Sequence, residues 1–292
     1  MRLIMTAILR VGGVPEHFNS PWHQAIEEGA FARAGLQVEF ILYPTGTGAM
    51  CNDLRAGELD LAVVLTEGIL SDMLRHGGTR LIGAYVPSPL VWGIHVAAHS
   101  PLKSLSELHG KTFAISRFGS GSHLMAMLFA LEQGWHPREA LEFFVAGGID
   151  PLEKAVCDGS ASAFLWEKYT TAPRIASGHL KRLGEFPTPW PSFVIAAREE
   201  LIASASQNLR ALLDVLYTQT QKFMAAPEKS VAYASQRYGL DPVQTQEWFE
   251  SVFWATEAQI SVSMLQEVLD SLKRVGILEG DLPEPDSLIA RL

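Results

Sequence analysis

The sequence predicts an α/β protein of two doubly wound lobes with a central cleft, two crossovers between the lobes and a helical C-terminal tail. Three observations carry this. β-rich runs alternate with helical stretches from the start of the chain, the rhythm of a parallel sheet covered by helices. Proline clusters break that rhythm twice, at Val86-Pro87-Ser88-Pro89 and at Pro187, Pro189 and Pro191. After Glu199 the pattern is almost entirely helical. At 292 residues the chain also exceeds a usual single domain, about 100–150 residues. These readings place lobe one at 1–87 plus 192–292, lobe two at 92–187, and hinges near 86–91 and 187–191.

Each element has a local reason. Residues 8–11 are a short β-rich run. Ser20-Pro21 supplies an N-cap and a proline at the first helical position. Trp22, Ala25, Ile26, Ala30 and Phe31 follow at helical spacing, predicting one helix that ends at Gly35. Residues 37–43 read as a strand, and 48–56 as a helix stopped by Gly57. The LAVVL run at 61–65 is apolar throughout, as in a strand buried on both faces. A helix over 68–76 and a strand over 81–85 complete the first series. The second series reads as strands at 90–98, 112–116, 141–145, 163–165, 180–186 and 193–197. Its helices are 122–133, 150–158 and 167–176. Tail helices are predicted over 209–225, 228–238, 243–254 and 262–275.

Composition excludes several classes. Hydrophobic residues make up 48% and charged residues 19%, which is ordinary globular usage. A net charge of −9 argues against a nucleic-acid partner. No apolar run reaches the roughly 18 residues of a membrane helix, so no membrane insertion is expected. The stretch 1–9 runs directly into the first strand instead of forming a cleavable leader. A cytoplasmic protein is expected, the alternative being a periplasmic one with a mis-set gene start. The two cysteines, Cys51 and Cys157, show no metal-ligand spacing and read as buried reduced thiols.

Three strand-to-helix turns are candidate cleft walls: 12–19 (GGVPEHFN), 44–49 (PTGTGA) and 116–123 (SRFGSGSH). Free N–H groups at a helix start suit an anion or polar acceptor, and glycine permits close approach of a ligand. Neither of the last two turns continues as a phosphate-binding loop. The expected pocket residues are Glu16, His17, Thr45, Thr47, Thr66, Glu67, Arg117, Ser120, Ser122, Trp166 and Glu167. The carboxylates suit amino or ring N–H donors, and the Arg117 fork suits a carboxylate. Each also has a plainer reading, as a solvated charge or a surface ion pair. His95 reads as a core histidine. Trp92, Trp166 and Trp190 offer rings that either sandwich a flat ligand or pack the lobes. No nucleophile elbow, H-E-x-x-H or activated cysteine is present.

Several strings resemble a known family. These are 11–18, the TGTG turn at 45–48, GELDLA at 57–62, and 102–110 followed by KTFAI at 111–115. DGSASAF at 158–164 is similar too, with Ser162 in place of the usual acid. Together they resemble the type 2 periplasmic-binding-protein fold, in the branch that binds nitrate, sulfonates or thiamine-pyrimidine precursors. The segments 44–48, 65–68, 116–122, 164–171 and 188–192 look like a subgroup of fungi and bacteria that lacks export signals and has no settled ligand. This resemblance implies hinge-closing binding of a small polar or heterocyclic solute, a thiamine-pyrimidine-like compound being the leading guess. It implies no cofactor. A transporter permease partner is doubtful without an export signal. The fold includes a pyrimidine synthase with a cofactor lysine, a consumed histidine and a cysteine-rich motif, but 63–70 holds neither lysine nor histidine and the motif is missing. The alternatives are an enzyme of thiamine or pyrimidine metabolism using Glu67 or His17 as base, and a ligand-dependent sensor that dimerises through its tail.

Overall fold

The structure is a computed structural model and describes residues 8–292. Most of the segment weighed as a leader therefore lies outside the described residues. Contacts divide the chain into two compact units. One runs to Ser88, resumes over Pro191–Gln266 and finishes with Leu282–Leu292; the other comprises Pro89–Trp190 and Glu267–Asp281. The chain thus passes between units at 88/89 and 190/191, and again at 266/267 and 281/282.

In the first unit, β1 (Ile8–Gly13) pairs in parallel with β2 (Gln37–Leu42) and with β3 (Leu61–Leu65). The last part of β8 (Leu180–Arg198) runs antiparallel beside β3, with Leu65 opposite Phe193. The order there is β2-β1-β3-β8. β3 is buried along nearly its whole length, which explains its unbroken apolar run. Helices α1 (Ser20–Glu27), α2 (Ala30–Arg33), α3 (Thr47–Ala56) and α4 (Thr66–His76) belong to this unit. So do the tail helices α9 (Glu199–Ala225), α10 (Pro227–Tyr238) and α11 (Pro242–Ser251). Its core is aromatic: Trp22 lies against Phe31, Phe40 and Tyr85, and Trp248, Trp254, Phe223 and Phe249 form a second cluster in the tail.

In the second unit the order is β4-β7-β5-β6. Here β5 (Lys111–Ile115) is parallel to β6 (Leu141–Val145) and to β7 (Ala163–Glu167), while β4 (Thr79–Ala97) runs antiparallel to β7. Helix α5 (Gly121–Glu132) follows β5, α6 (Pro137–Ala140) is a single turn before β6, and α7 (Ile149–Cys157) packs Leu152, Ala155 and Val156 onto Phe164 and Ala114. Helix α8 (Ala172–Ala176) follows β7. Helix α12 (Val262–Arg274) begins in the first unit and ends in the second.

Several elements differ from expectation. The prolines do not end the strands: β4 and β8 are each 19 residues long and pass straight through them. Proline fits an extended backbone, and what it lacks is a donor. Side-chain hydroxyls serve backbone groups there. The Leu90 N–H donates to Thr188 Oγ1 at 2.9 Å, Thr188 Oγ1 donates to the Trp190 carbonyl at 2.8 Å, and Ser192 Oγ donates to the Ser88 carbonyl. The first helix is two helices, because Gly29 takes φ 66° and interrupts it. α3 and α4 start one and two residues early, at Thr47 and Thr66. Glu167 ends β7 instead of opening a helix. Cys51 is buried as expected, whereas Cys157 is only partly covered, and both are free thiols.

Candidate functional site

In the first unit the turn after β1 comes first. Gly13 lets the Phe40 ring approach closely, since a Cβ there would sit 2.3 Å from Phe40 Cζ and displace the ring. The turn is closed locally by Asn19 Nδ2 donating to the Val14 carbonyl at 2.8 Å and Ser20 Oγ to the His17 carbonyl at 2.7 Å. Its apex is gripped from far along the chain. The Phe18 carbonyl accepts from Tyr85 Oη at 2.7 Å and from Trp254 Nε1 at 2.9 Å. His17 is buried, its ring 4.2 Å from that of Trp248 and 4.9 Å from that of Phe18. Burial pushes its pKa down to about 3, so it is neutral at physiological pH. Glu16 beside it is partly buried.

The second turn leads into α3. Gly46 holds φ 79°, a conformation that favours glycine. Thr45 is exposed, and Thr47 is buried with its Oγ1 accepting from the Leu65 N–H at 3.1 Å. A Cβ on Gly68 would lie 2.8 Å from Thr47 Cγ2, so the starts of α3 and α4 touch. Thr66 Oγ1 donates to the Pro191 carbonyl at 2.7 Å, and Glu67 is buried in the first turn of α4. Phe18 lies 5.1 Å from Phe193, the register partner of Leu65. Thr47, Thr66 and Glu67 therefore gather at the C-terminal end of β3, with Phe18 approaching through Phe193. This is the sheet edge where open parallel sheets hold ligands.

In the second unit the turn 116–123 joins β5 to α5. Ser120 is the N-cap of α5, its Oγ accepting from the His123 N–H at 3.4 Å. Ser122 Oγ accepts from the Ser116 N–H and contacts Ser120 Oγ, both at 3.0 Å. The Gly119 N–H donates to His123 Nδ1 at 3.1 Å. Burial lowers the His123 pKa to about 4. Arg117 and Phe118 are exposed.

Glu167 lies at the same sheet edge, since β5 and β7 are parallel neighbours with Ala114 opposite Phe164. Its carboxylate is buried and accepts from the Tyr169 N–H at 3.1 Å and from the Thr170 N–H and Oγ1, each at 2.7 Å. Burial pushes its pKa up against those three hydrogen bonds. Three of its roughly four acceptor positions are thus spent on its own turn. Trp166 precedes it on β7 and so faces the other side of the sheet, where it packs on the α7 cluster. The two do not share one wall. His95 is fully buried, with Nε2 2.9 Å from Thr171 Oγ1, a core role. Trp92 and Trp190 are buried as well.

Sequence reasoning passed over His123, Phe143 and Trp248. His123 carried a usable signal, standing three residues after a serine N-cap. Trp248 carried none, because its place beside His17 is set by tertiary packing. Among the described residues no group of three or more metal-binding side chains forms, and no helix is long and apolar enough to cross a membrane.

A family model described as Ca3427-like PBP matches residues 92–186. The Candida albicans CA3427 gene product, described as defining a new family with the generic periplasmic binding protein fold, superposes with a TM-score of 0.89 at 24% identity, covering 97% of this chain and 96% of that one. The alkanesulfonate-binding protein SsuA from Xanthomonas axonopodis pv. citri, bound to MOPS, gives 0.83 at 17% identity over 98% and 99% of the chains. The aliphatic sulphonate binding protein SsuA from Escherichia coli gives 0.76 at 15% identity over 97% and 92%. No curated protein matches the sequence significantly. With agreement over nearly the whole of each chain, this protein has the type 2 periplasmic-binding-protein fold, and its likenesses include Ca3427-like and sulfonate-binding members of that fold.

Proposed function

We propose that the protein binds a small polar or heterocyclic solute in a cleft, by hinge closure. The supporting observation is a matched pair of strand-to-helix turns, one per unit, each at the C-terminal ends of parallel strands. In the second, the polar side chains brace the loop and leave helix-start N–H groups for an acceptor on the ligand. A solute touching both turns at once favours the closed form by its differential affinity for it. A thiamine-pyrimidine-like ring is one such solute and a sulfonate another. A cytoplasmic site of action is part of this reading. Of the two bases named for the enzymatic alternative, His17 is disfavoured: it is buried, and a base with a pKa of about 3 is too weak to abstract protons efficiently near neutral pH.

Native mass spectrometry of the freshly purified chain tests the proposal. A retained metabolite, released unchanged on unfolding, is expected. A bare polypeptide mass under gentle conditions, or steady conversion of the metabolite, contradicts it.

A further inference from the structure

Phe118 is 65% exposed in a turn otherwise built of small and polar residues. It does not stand alone. Its ring centroid lies 5.3 Å from that of His123 and 6.3 Å from that of Phe143, and His123 lies 4.6 Å from Phe143. The interplanar angles are 81°, 81° and 79°. Three mutually near-perpendicular rings make a corner. Phe143 is positioned by β6, opposite Phe113 in register, and His123 by the first turn of α5.

The polar side of the corner follows from the same contacts. A backbone N–H can only donate, so His123 Nδ1 is the acceptor of the Gly119 bond and the proton sits on Nε2. His123 is 8% exposed, and among the described residues its Nε2–H makes no hydrogen bond. The Gly121 and Ser122 N–H groups, in the first turn of α5, also find no partner there, since Ser120 serves only His123 and Leu124. An aromatic corner of this kind suits a quaternary ammonium in other settings. Here the donors and the neighbouring Arg117 oppose a cation. An aliphatic group would make little use of the open face of Phe118, whereas a flat ring stacks on it or meets it edge-on.

We propose that Phe118, His123 and Phe143 are specificity-determining residues, selecting a ligand whose planar ring carries the acceptor group presented to α5. This rests on the proposed function and narrows it to aryl or heteroaryl acceptors over aliphatic ones.

Two probes with one head group separate the ring from the acceptor. Isothermal titration calorimetry of the full chain with benzenesulfonate and ethanesulfonate is expected to show the aryl probe binding about tenfold tighter. Phe118→Ala is expected to bring that ratio to about twofold or less, with Phe118→Tyr keeping it. The residue is exposed, and circular dichroism checks that the variants fold. Equal affinity for the two probes, or a preference that survives Phe118→Ala, overturns the inference and leaves the proposed function standing. Binding of neither sulfonate also overturns it, while a retained metabolite still upholds the function. Binding of neither probe together with a bare native mass overturns both.

Discussion

The turn after β1 in the first unit and the turn before α5 in the second solve the same problem in different ways. The first adds long-range support to its own local bonds from Asn19 and Ser20. Its apex carbonyl at Phe18 is gripped by Tyr85, 67 residues on, and by Trp254, 236 residues on, while Trp248 closes over His17. The second is held from within: Ser116, Gly119, Ser120, Ser122 and His123 bond one another across no more than 6 residues. The first turn is therefore as stable as the tail helices that cover it. The second is fixed by its own sequence, and its unused backbone donors are a by-product of that economy.

The largest single effect is expected from the outside support. Trp248→Ala removes a fully buried indole and should cost about 3–5 kcal/mol. Denaturant unfolding reads that loss, and hydrogen exchange should loosen at 12–19 but not at 116–123. Equal loosening of both turns would break the distinction drawn here.

Acid should weaken both units through their buried histidines. His17 in the first unit and His95 in the second are held neutral by burial, each with a pKa near 3. A histidine whose folded pKa lies below its unfolded value of about 6.5 takes up a proton on unfolding. Its contribution is intact above about pH 6.5 and is lost as pH falls toward the folded value. By pH 5 the loss is about 2 kcal/mol for each such histidine, since one unit is worth about 1.4 kcal/mol. Thermal unfolding should be level from pH 7 to 8 in this respect and fall below 6.5. His17→Asn should take about one proton out of the slope, measured as proton uptake on unfolding.

A smaller effect is expected at Ser122. Removing its hydroxyl leaves the Ser116 N–H without its acceptor, at about 1–3 kcal/mol. Exchange should rise at 116–123 alone, the mirror image of Trp248→Ala. Thr45 is exposed, and Thr45→Ala should change stability by no more than about 0.5 kcal/mol. Its use is to show whether the apex of the α3 turn touches the solute, by a change in affinity without a change in stability.

The contrast also explains what was legible in the sequence. Elements built by short-range rules could be read directly: the apolar β3, the Gly57 stop of α3, the proline at the first helical position of α1 and the tail helices. The second unit's turn was legible for the same reason, and most of its polar residues were chosen from the sequence. Long-range pairing was not. Nothing local marks Trp248 as the neighbour of His17, or shows that hydroxyls from Thr188 and Ser192 would carry β4 and β8 through their prolines. Glu167 shows the limit from the other side. Its position at a strand end was foreseeable, whereas its commitment to Tyr169 and Thr170 depends on how the chain turns after it.

The central claim is that the turn leading into α3 in the first unit, with the start of α4, and the turn before α5 in the second engage the same solute. Hydrogen–deuterium exchange, comparing the protein as purified with protein stripped of retained metabolites, tests it most directly. Protection by the metabolite at 44–50 and 66–67 in the first unit, together with 116–123 in the second, is the predicted result. Protection confined to one unit, or none in either, would contradict the account.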